Sequence, residues 1–243
     1  MTRLDALLVE RGLARSRSQA AELVRAGKVR LAGVPVRKPA TSVGVDAEID
    51  VDRDPWVSRA AHKLLGALDD LRITVPERAL DAGASTGGFT QVLLSRGAVR
   101  VYAVDVGTDQ LAAGLRADPR VVVHEQTNLR DLTLAHVGHE PVGLVVADVS
   151  FISLTLLLDP ILGVLAPDGE ALLMVKPQFE VGPGRLGKSG IVRDPTLRQE
   201  AVAAVSAAAA TRGWATVATA ESRLPGPAGN VEYFIHIRQP HLC

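Results

Sequence analysis

The chain has 243 residues, 47% of them hydrophobic but only 3% aromatic, and a formal net charge of zero. That composition excludes a disordered tail and a globally basic nucleic-acid binder, and it allows one medium domain beside a small one. A single cysteine, Cys243, excludes an internal disulfide and a thiolate metal site, and no long charge-free apolar run exists, so a cytoplasmic protein with no membrane partner is expected.

From the start of the chain, Leu4, Leu7 and Leu8 recur at helical spacing, Gly12 can end that helix, and Ser16 with Gln19 forms a capping box for the next. Ala20, Leu23 and Val24 continue the second stripe. Lys28–Leu31, the turn Ala32-Gly33 and Val34–Val36 read as a hairpin, and Glu48–Val51 alternates like a last strand. Residues 1–52 thus form a small α+β unit. Up to residue 39 it holds nine basic side chains against three acids, a net charge of plus six, which can neutralise several phosphates. With no aromatic residue there, backbone or shape readout of folded RNA is expected rather than base stacking.

This unit resembles the S4 RNA-binding domain through Arg3-Leu4-Asp5, Gly12-Leu13, Ser16-Arg17, Ala20, Gly27, Val29, Gly33 and Lys38-Pro39. The resemblance implies that Arg3, Arg15, Arg17 and Lys38 touch RNA.

Residues 53–57, with Pro55, read as a linker, and 58–243 as a second domain. Ser58 is placed to cap a helix with the stripe Ala61, Leu64, Leu65 and Leu68; Lys63 lies off that stripe and, by periodicity alone, is a solvated lysine. Arg78–Asp81 is a short apolar strand ending in an acid. Small residues follow, and Phe89 opens another helical pattern, so the stretch reads strand, glycine turn, helix. Such a turn sits at the carboxyl edge of a parallel sheet, where ligands bind. Gly83–Gly88 aligns with G-x-G-x-x-G, but Ser85 replaces the glycine that lets a pyrophosphate approach, which favours a smaller ligand. The next strand, Arg100–Val106, carries Asp105 where an acid bonding ribose hydroxyls belongs. A lone glycine triplet would be an ordinary turn; with both acids it fits an adenosine bearing an ammonium tail, such as S-adenosylmethionine.

Strands at Arg120–Glu125, Val142–Asp148 and Ala171–Lys176, separated by helical or loop segments, give the rhythm of a doubly wound parallel sheet. Pro195 starts an alanine-rich helix through Arg212. Trp214–Thr219 and Val231–Ile237 close the chain as a return ending in an antiparallel strand, with Glu232 read as an exposed acid of an edge strand. The expected fold is therefore α/β, a Rossmann-like, mostly parallel sheet with an antiparallel last strand, preceded by the small α+β domain. Asp148 and Lys176 end neighbouring strands as either a salt bridge or a catalytic pair. Absent features narrow the chemistry: no cysteine serves attack on cytosine, and Asp148-Val149-Ser150-Phe151 stands where amine methylation uses an Asn/Asp-Pro-Pro-aromatic motif, leaving an aliphatic hydroxyl as acceptor. The histidines form no cluster with cysteines or carboxylates, so no metal is expected.

Ser58-Arg59-x-x-His62-Lys63-Leu64, Asp81–Thr90, Val146–Leu154, Lys176-Pro177-Gln178-Phe179-Glu180 and Gly229–Phe234 together resemble the TlyA family of ribosomal RNA 2′-O-methyltransferases, over almost the whole chain. The resemblance implies a class I methyltransferase fold and a Lys-Asp-Lys-Glu tetrad, shared with FtsJ-like ribose methyltransferases, on Lys63, Asp148, Lys176 and Glu232. It implies S-adenosylmethionine contacts from Asp81, Gly83, Ser85, Gly87, Gly88, Phe89, Asp105 and Asn128. In that scheme Lys176, tuned by Asp148, takes the proton or hydrogen bond of a ribose 2′-hydroxyl, while Lys63 and Glu232 orient it. Implied partners are ribosomal RNA or ribosomal subunits, with cytidine of 23S and, in longer members, 16S RNA as target. A nicotinamide oxidoreductase and a non-enzymatic RNA-binding or membrane-lytic protein are the competing readings.

Overall fold

A computed structural model describes residues 1–240 except 15, 53 and 188, and the side chain of 183 is likewise outside the description. Arg15 and Cys243 therefore lie outside the described residues. The chain divides into two compact units, Met1–Pro55 and Trp56–Cys243.

In the first unit, β1 (Thr2–Arg3) leads directly into α1 (Leu4–Glu10), followed by α2 (Arg17–Arg25), β2 (Val29–Leu31), β3 (Val34–Val36), β4 (Ser42–Val43) and β5 (Ile49–Val51). Ser16 caps α2 by accepting the Gln19 amide, as its sequence position anticipates. Ala32 and Gly33 both take positive φ, the backbone of a two-residue hairpin turn between β2 and β3. β2 is the central strand of a β3-β2-β5 sheet, while β1 pairs with β4, a short ladder the sequence pattern does not announce. Leu4, Leu7, Leu8, Ala20, Val24 and Val29 form the core.

The second unit is built from α3 (Ala60–Asp70), β6 (Arg78–Ala82), α4 (Gly88–Ser95), β7 (Arg100–Val104), α5 (Ala113–Arg116), β8 (Val121–His124), β9 (Val142–Ala147), α6 (Leu158–Leu162), β10 (Leu165–Val175), α7 (Pro177–Glu180), α8 (Pro195–Ala210), β11 (Ala215–Glu221) and β12 (Tyr233–Arg238). Its seven strands run in the order β11-β12-β10-β9-β6-β7-β8; all are parallel except β12, which is antiparallel to both neighbours. Strand alternation sorts the core into two layers. Leu80, Ala82, Val145 and Ala147 face α6 and α8, whereas Ala79, Leu144 and Val146 face α3 and α4. The order reverses between β6 and β9, so the loops leaving these strands open a crevice at the switch point.

Three sequence expectations are corrected here. Ser58 does not cap α3: the flanking residue is Arg59, with no side-chain cap, because the Ser58 carbonyl accepts from Ala61 and its hydroxyl packs over Gly88 instead. Lys63 is not solvated but buried, because α3 is covered on a second side by the segment before β12. Glu232 is neither in an edge strand nor exposed: β11 is the edge, β12 lies inside the sheet, and Glu232 immediately precedes it at 1% exposure.

Candidate active site

The floor of the crevice is the turn after β6. Gly83 has φ +88, and a Cβ on it would stand 2.8 Å from the Asp148 carbonyl, so the β6 and β9 loops meet only because nothing projects there. Ser85 also takes a positive φ, 46°. That conformation is held by the Ser85 amide donating to Asp105 Oδ2 at 2.8 Å, while its hydroxyl donates to Gln110 Oε1 at 3.1 Å. Asp105 accepts a second amide, from Gly107, on Oδ1 at 2.7 Å. The acid closing β7 thus shapes the turn after β6 as well as facing the crevice.

Two adjoining cavities, of about 390 and 440 Å³, share Gly83, Ser85, Asp148 and Ser150 as lining and form one groove across the strand ends. One end is lined by Asp105, Asn128 and the apolar Val106, Leu129, Ile152 and Leu157; the other by Lys63, Lys176, Gly88 and Phe89. Among the expected cofactor residues, Gly83, Ser85, Gly88, Phe89, Asp105 and Asn128 therefore line the groove. Gly87 does not: a Cβ there would collide with Leu115, so its bare backbone serves packing against α5. Asp81 does not line it either. Its side chain is fully buried on the α4 side, Oδ2 accepting from Thr90 Oγ1 at 2.7 Å and Oδ1 without a partner. Burial pushes this carboxyl up to about 7, against the pull of the Thr90 hydrogen bonds and reinforced by the charges of Asp148 and Asp105.

At the basic end, Lys176 Nζ lies 2.6 Å from Asp148 Oδ1. The contact is an ion pair by distance but is not aligned as a hydrogen bond, since Oδ1 has no donor; Nζ donates instead to Ser150 Oγ at 2.8 Å. Lys63 Nζ donates to Glu232 Oε2 at 2.6 Å, with both side chains buried. Lys63, Asp148 and Lys176 line the same cavity, and Glu232 stands behind Lys63 as its counter-charge. Four side chains from four separate stretches are thus gathered as two ion pairs beside the glycine turn.

Sequence reasoning assigned no role to Ser150, Gln110 or Arg59, an exposed guanidinium on the cavity wall at the start of α3; the one available signal for Ser150 and Gln110 was their place in the loops that follow strand-end acids. The loop after β9 is tied to α7 twice more: Glu180 accepts from Ser153 Oγ at 2.5 Å and the Leu154 amide at 2.8 Å, and the Phe151 and Phe179 rings lie 5.3 Å apart. Among the described residues, no group of three or more His, Cys, Asp or Glu side chains could hold a metal.

In the first unit, Arg3 and Arg17 converge on Asp5. Arg3 grips both its oxygens, at 3.0 and 2.7 Å, and Arg17 Nη2 stands 3.3 Å from Oδ1. Lys38 is exposed on the turn whose next residue, Pro39, accepts the Asp5 amide.

A seven-stranded sheet with this strand order and one antiparallel strand, carrying its groove at the switch point, defines a class I methyltransferase fold. Residues 56–239 match the family model for FtsJ-like methyltransferases and residues 2–49 the S4 domain. The 16S/23S rRNA (cytidine-2′-O)-methyltransferase TlyA of Mycobacterium tuberculosis is 56% identical over 97% of this chain and 89% of its own. The 23S rRNA (cytidine-2′-O)-methyltransferase TlyA of Campylobacter jejuni is 38% identical over 78% of this chain and 73% of its own. A solved structure of a hemolysin-named protein from Streptococcus thermophilus aligns with a TM-score of 0.77 at 36% identity, covering 98% of this chain and 88% of that one. The chain belongs to the TlyA family of FtsJ-like methyltransferases with an N-terminal S4 domain.

Proposed function

We propose that the protein methylates the 2′-hydroxyl of a cytidine in ribosomal RNA, in 23S RNA and, as named for the M. tuberculosis relative, in 16S RNA, using S-adenosylmethionine in the cytoplasm. The observation that carries this reading is the pair of Lys–carboxylate bridges, Lys176–Asp148 and Lys63–Glu232, beside a bare glycine turn. The groove fits the cofactor. Asp105 and Asn128 offer polar groups at its apolar end, and the bare Gly83 lets the β6 and β9 loops meet to form its floor. When bound, S-adenosylmethionine supplies the methyl group.

Lys176 would take the proton of the 2′-hydroxyl, to whose oxygen the bound cofactor would supply its methyl group. Asp148 at 2.6 Å holds the resulting ammonium, and Ser150 fixes Nζ by its hydrogen bond. Lys63, held by Glu232 at 2.6 Å, donates to the 2′-oxygen and orients it. Substrate docks through Arg3, Arg15, Arg17 and Lys38 of the S4 domain, with ribosomal RNA or a ribosomal subunit as partner. The hemolysin name of a relative does not displace this reading: no helix among the described residues is long and apolar enough to cross a membrane. The test is incubation of unmodified ribosomal RNA with labelled cofactor. Ribose-methylated cytidine is expected, and label on a base or on no RNA would refute it.

A further inference from the structure

Resting on the RNA-docking role proposed above, the structure assigns Asp5 as the residue that organises the RNA-gripping arginines. Electrostatics alone assigns it the opposite part. An acid in a segment that carries nine bases weakens its field, and its removal should tighten RNA.

The geometry contradicts that simple expectation. Asp5 is buried, its side chain 7% exposed, whereas the side chains of Arg3 and Arg17 are 53% and 60% exposed. The carboxylate therefore sits beneath two guanidinium groups and turns their remaining N–H edges outward. Arg3 is held in the two-toothed geometry, through Nε and Nη2, which leaves its Nη1 side for a second acceptor. The Arg3 hydrogen bond, with the charge of Arg17, holds the Asp5 carboxyl at about 2, so the anchor stays charged at any physiological pH. Asp5 is itself fixed: it lies in the first turn of α1, and its amide donates to the Pro39 carbonyl, beside exposed Lys38. One buried acid thereby sets the positions of two cations and adjoins the turn bearing a third.

Magnitudes decide the sign. Freezing two free arginine side chains on binding costs roughly tenfold in affinity. Deleting one negative charge several ångströms from a phosphate in water gains only about threefold. Preorganisation prevails.

The experiment measures affinity of the full chain for an in vitro 23S rRNA transcript across a salt titration. Wild type, Asp5→Asn, Arg3→Ala/Arg17→Ala, and all three changes together are compared. Asp5→Asn should bind about threefold more weakly despite its added positive charge, and the same change should cost nothing when both arginines are already alanine. Equal or tighter binding by Asp5→Asn overturns the assignment, as does an equal loss in both backgrounds, which marks a merely structural acid. If circular dichroism shows Asp5→Asn unfolded, Asp5→Glu replaces it; that change keeps the charge but displaces the carboxylate, and wild-type affinity would overturn the assignment. Wild-type protein without salt-dependent affinity for the transcript would remove the docking reading itself, and this inference with it.

Discussion

Lys176 has three protons or two, and its neighbours decide what it can do with them. Asp148 and Ser150 occupy two sides of Nζ, leaving the cavity side for the substrate hydroxyl. Lys176→Ala should lower kcat by about 10² to 10⁴ while the cofactor dissociation constant, read by calorimetry, stays near wild type; a variant with normal kcat removes the lysine from the chemistry. Glu232 carries a different kind of cost. Replacing it by alanine strands the buried Lys63 ammonium, so stability should fall by about 3–5 kcal/mol in urea unfolding, and a change under about 1 kcal/mol would mean that Lys63 finds another partner. Asp81 gives the pH signature. Its carboxyl is raised from 3.8 to about 7 in the fold, so the native state binds the proton more tightly than the unfolded chain. Stability from this group is complete below 3.8 and is lost as pH rises to about 7, at about 1.4 kcal/mol per unit. Asp81→Asn should flatten that slope, and an unchanged slope would place the titration elsewhere.

Among the elements, the turn after β6 and the meeting of the β6 and β9 loops position everything else. Gly83→Ala would force a Cβ toward the Asp148 carbonyl in a backbone that disfavours side chains, so cofactor affinity should fall about tenfold or more, measured by calorimetry; unchanged affinity would show that the loops part freely. This element was legible in the sequence because it is local: an apolar strand, its acid and the small residues after it are consecutive. Asp148 and Lys176 were legible for the same reason, each ending an apolar run. Lys63 and Glu232 were not. Their pairing spans 169 residues, and periodicity on α3 marks only the face packed on the sheet, not the face that a distant segment covers. Only the whole-motif resemblance pointed to them. Ser150 lay inside the Val146–Leu154 motif but was given no role, since a serine in the loop three residues past the end of β9 has no periodicity of its own. The start of β10 at Leu165 was hidden by Pro167-Asp168-Gly169, which reads as a turn but falls at a register shift within the strand.

At the level of the molecule, zero net charge conceals a division of labour: the first 39 residues carry nine bases against three acids, and the second unit builds the groove. Reversing Arg3 and Arg17 to Glu should weaken binding to ribosomal RNA at low salt and reduce the slope of log K against log salt by about 2, with cofactor binding intact; an unchanged slope would take both residues off the RNA. Docking and chemistry are thus separable by measurement. The most direct test of the central claim is mapping of ribose methylation on unmodified 16S and 23S ribosomal RNA after incubation with wild-type protein and with Lys176→Ala. A 2′-O-methylcytidine made by the wild type and absent with the folded, cofactor-binding variant is predicted. Methylation on a base, or equal ribose methylation by both proteins, would contradict it.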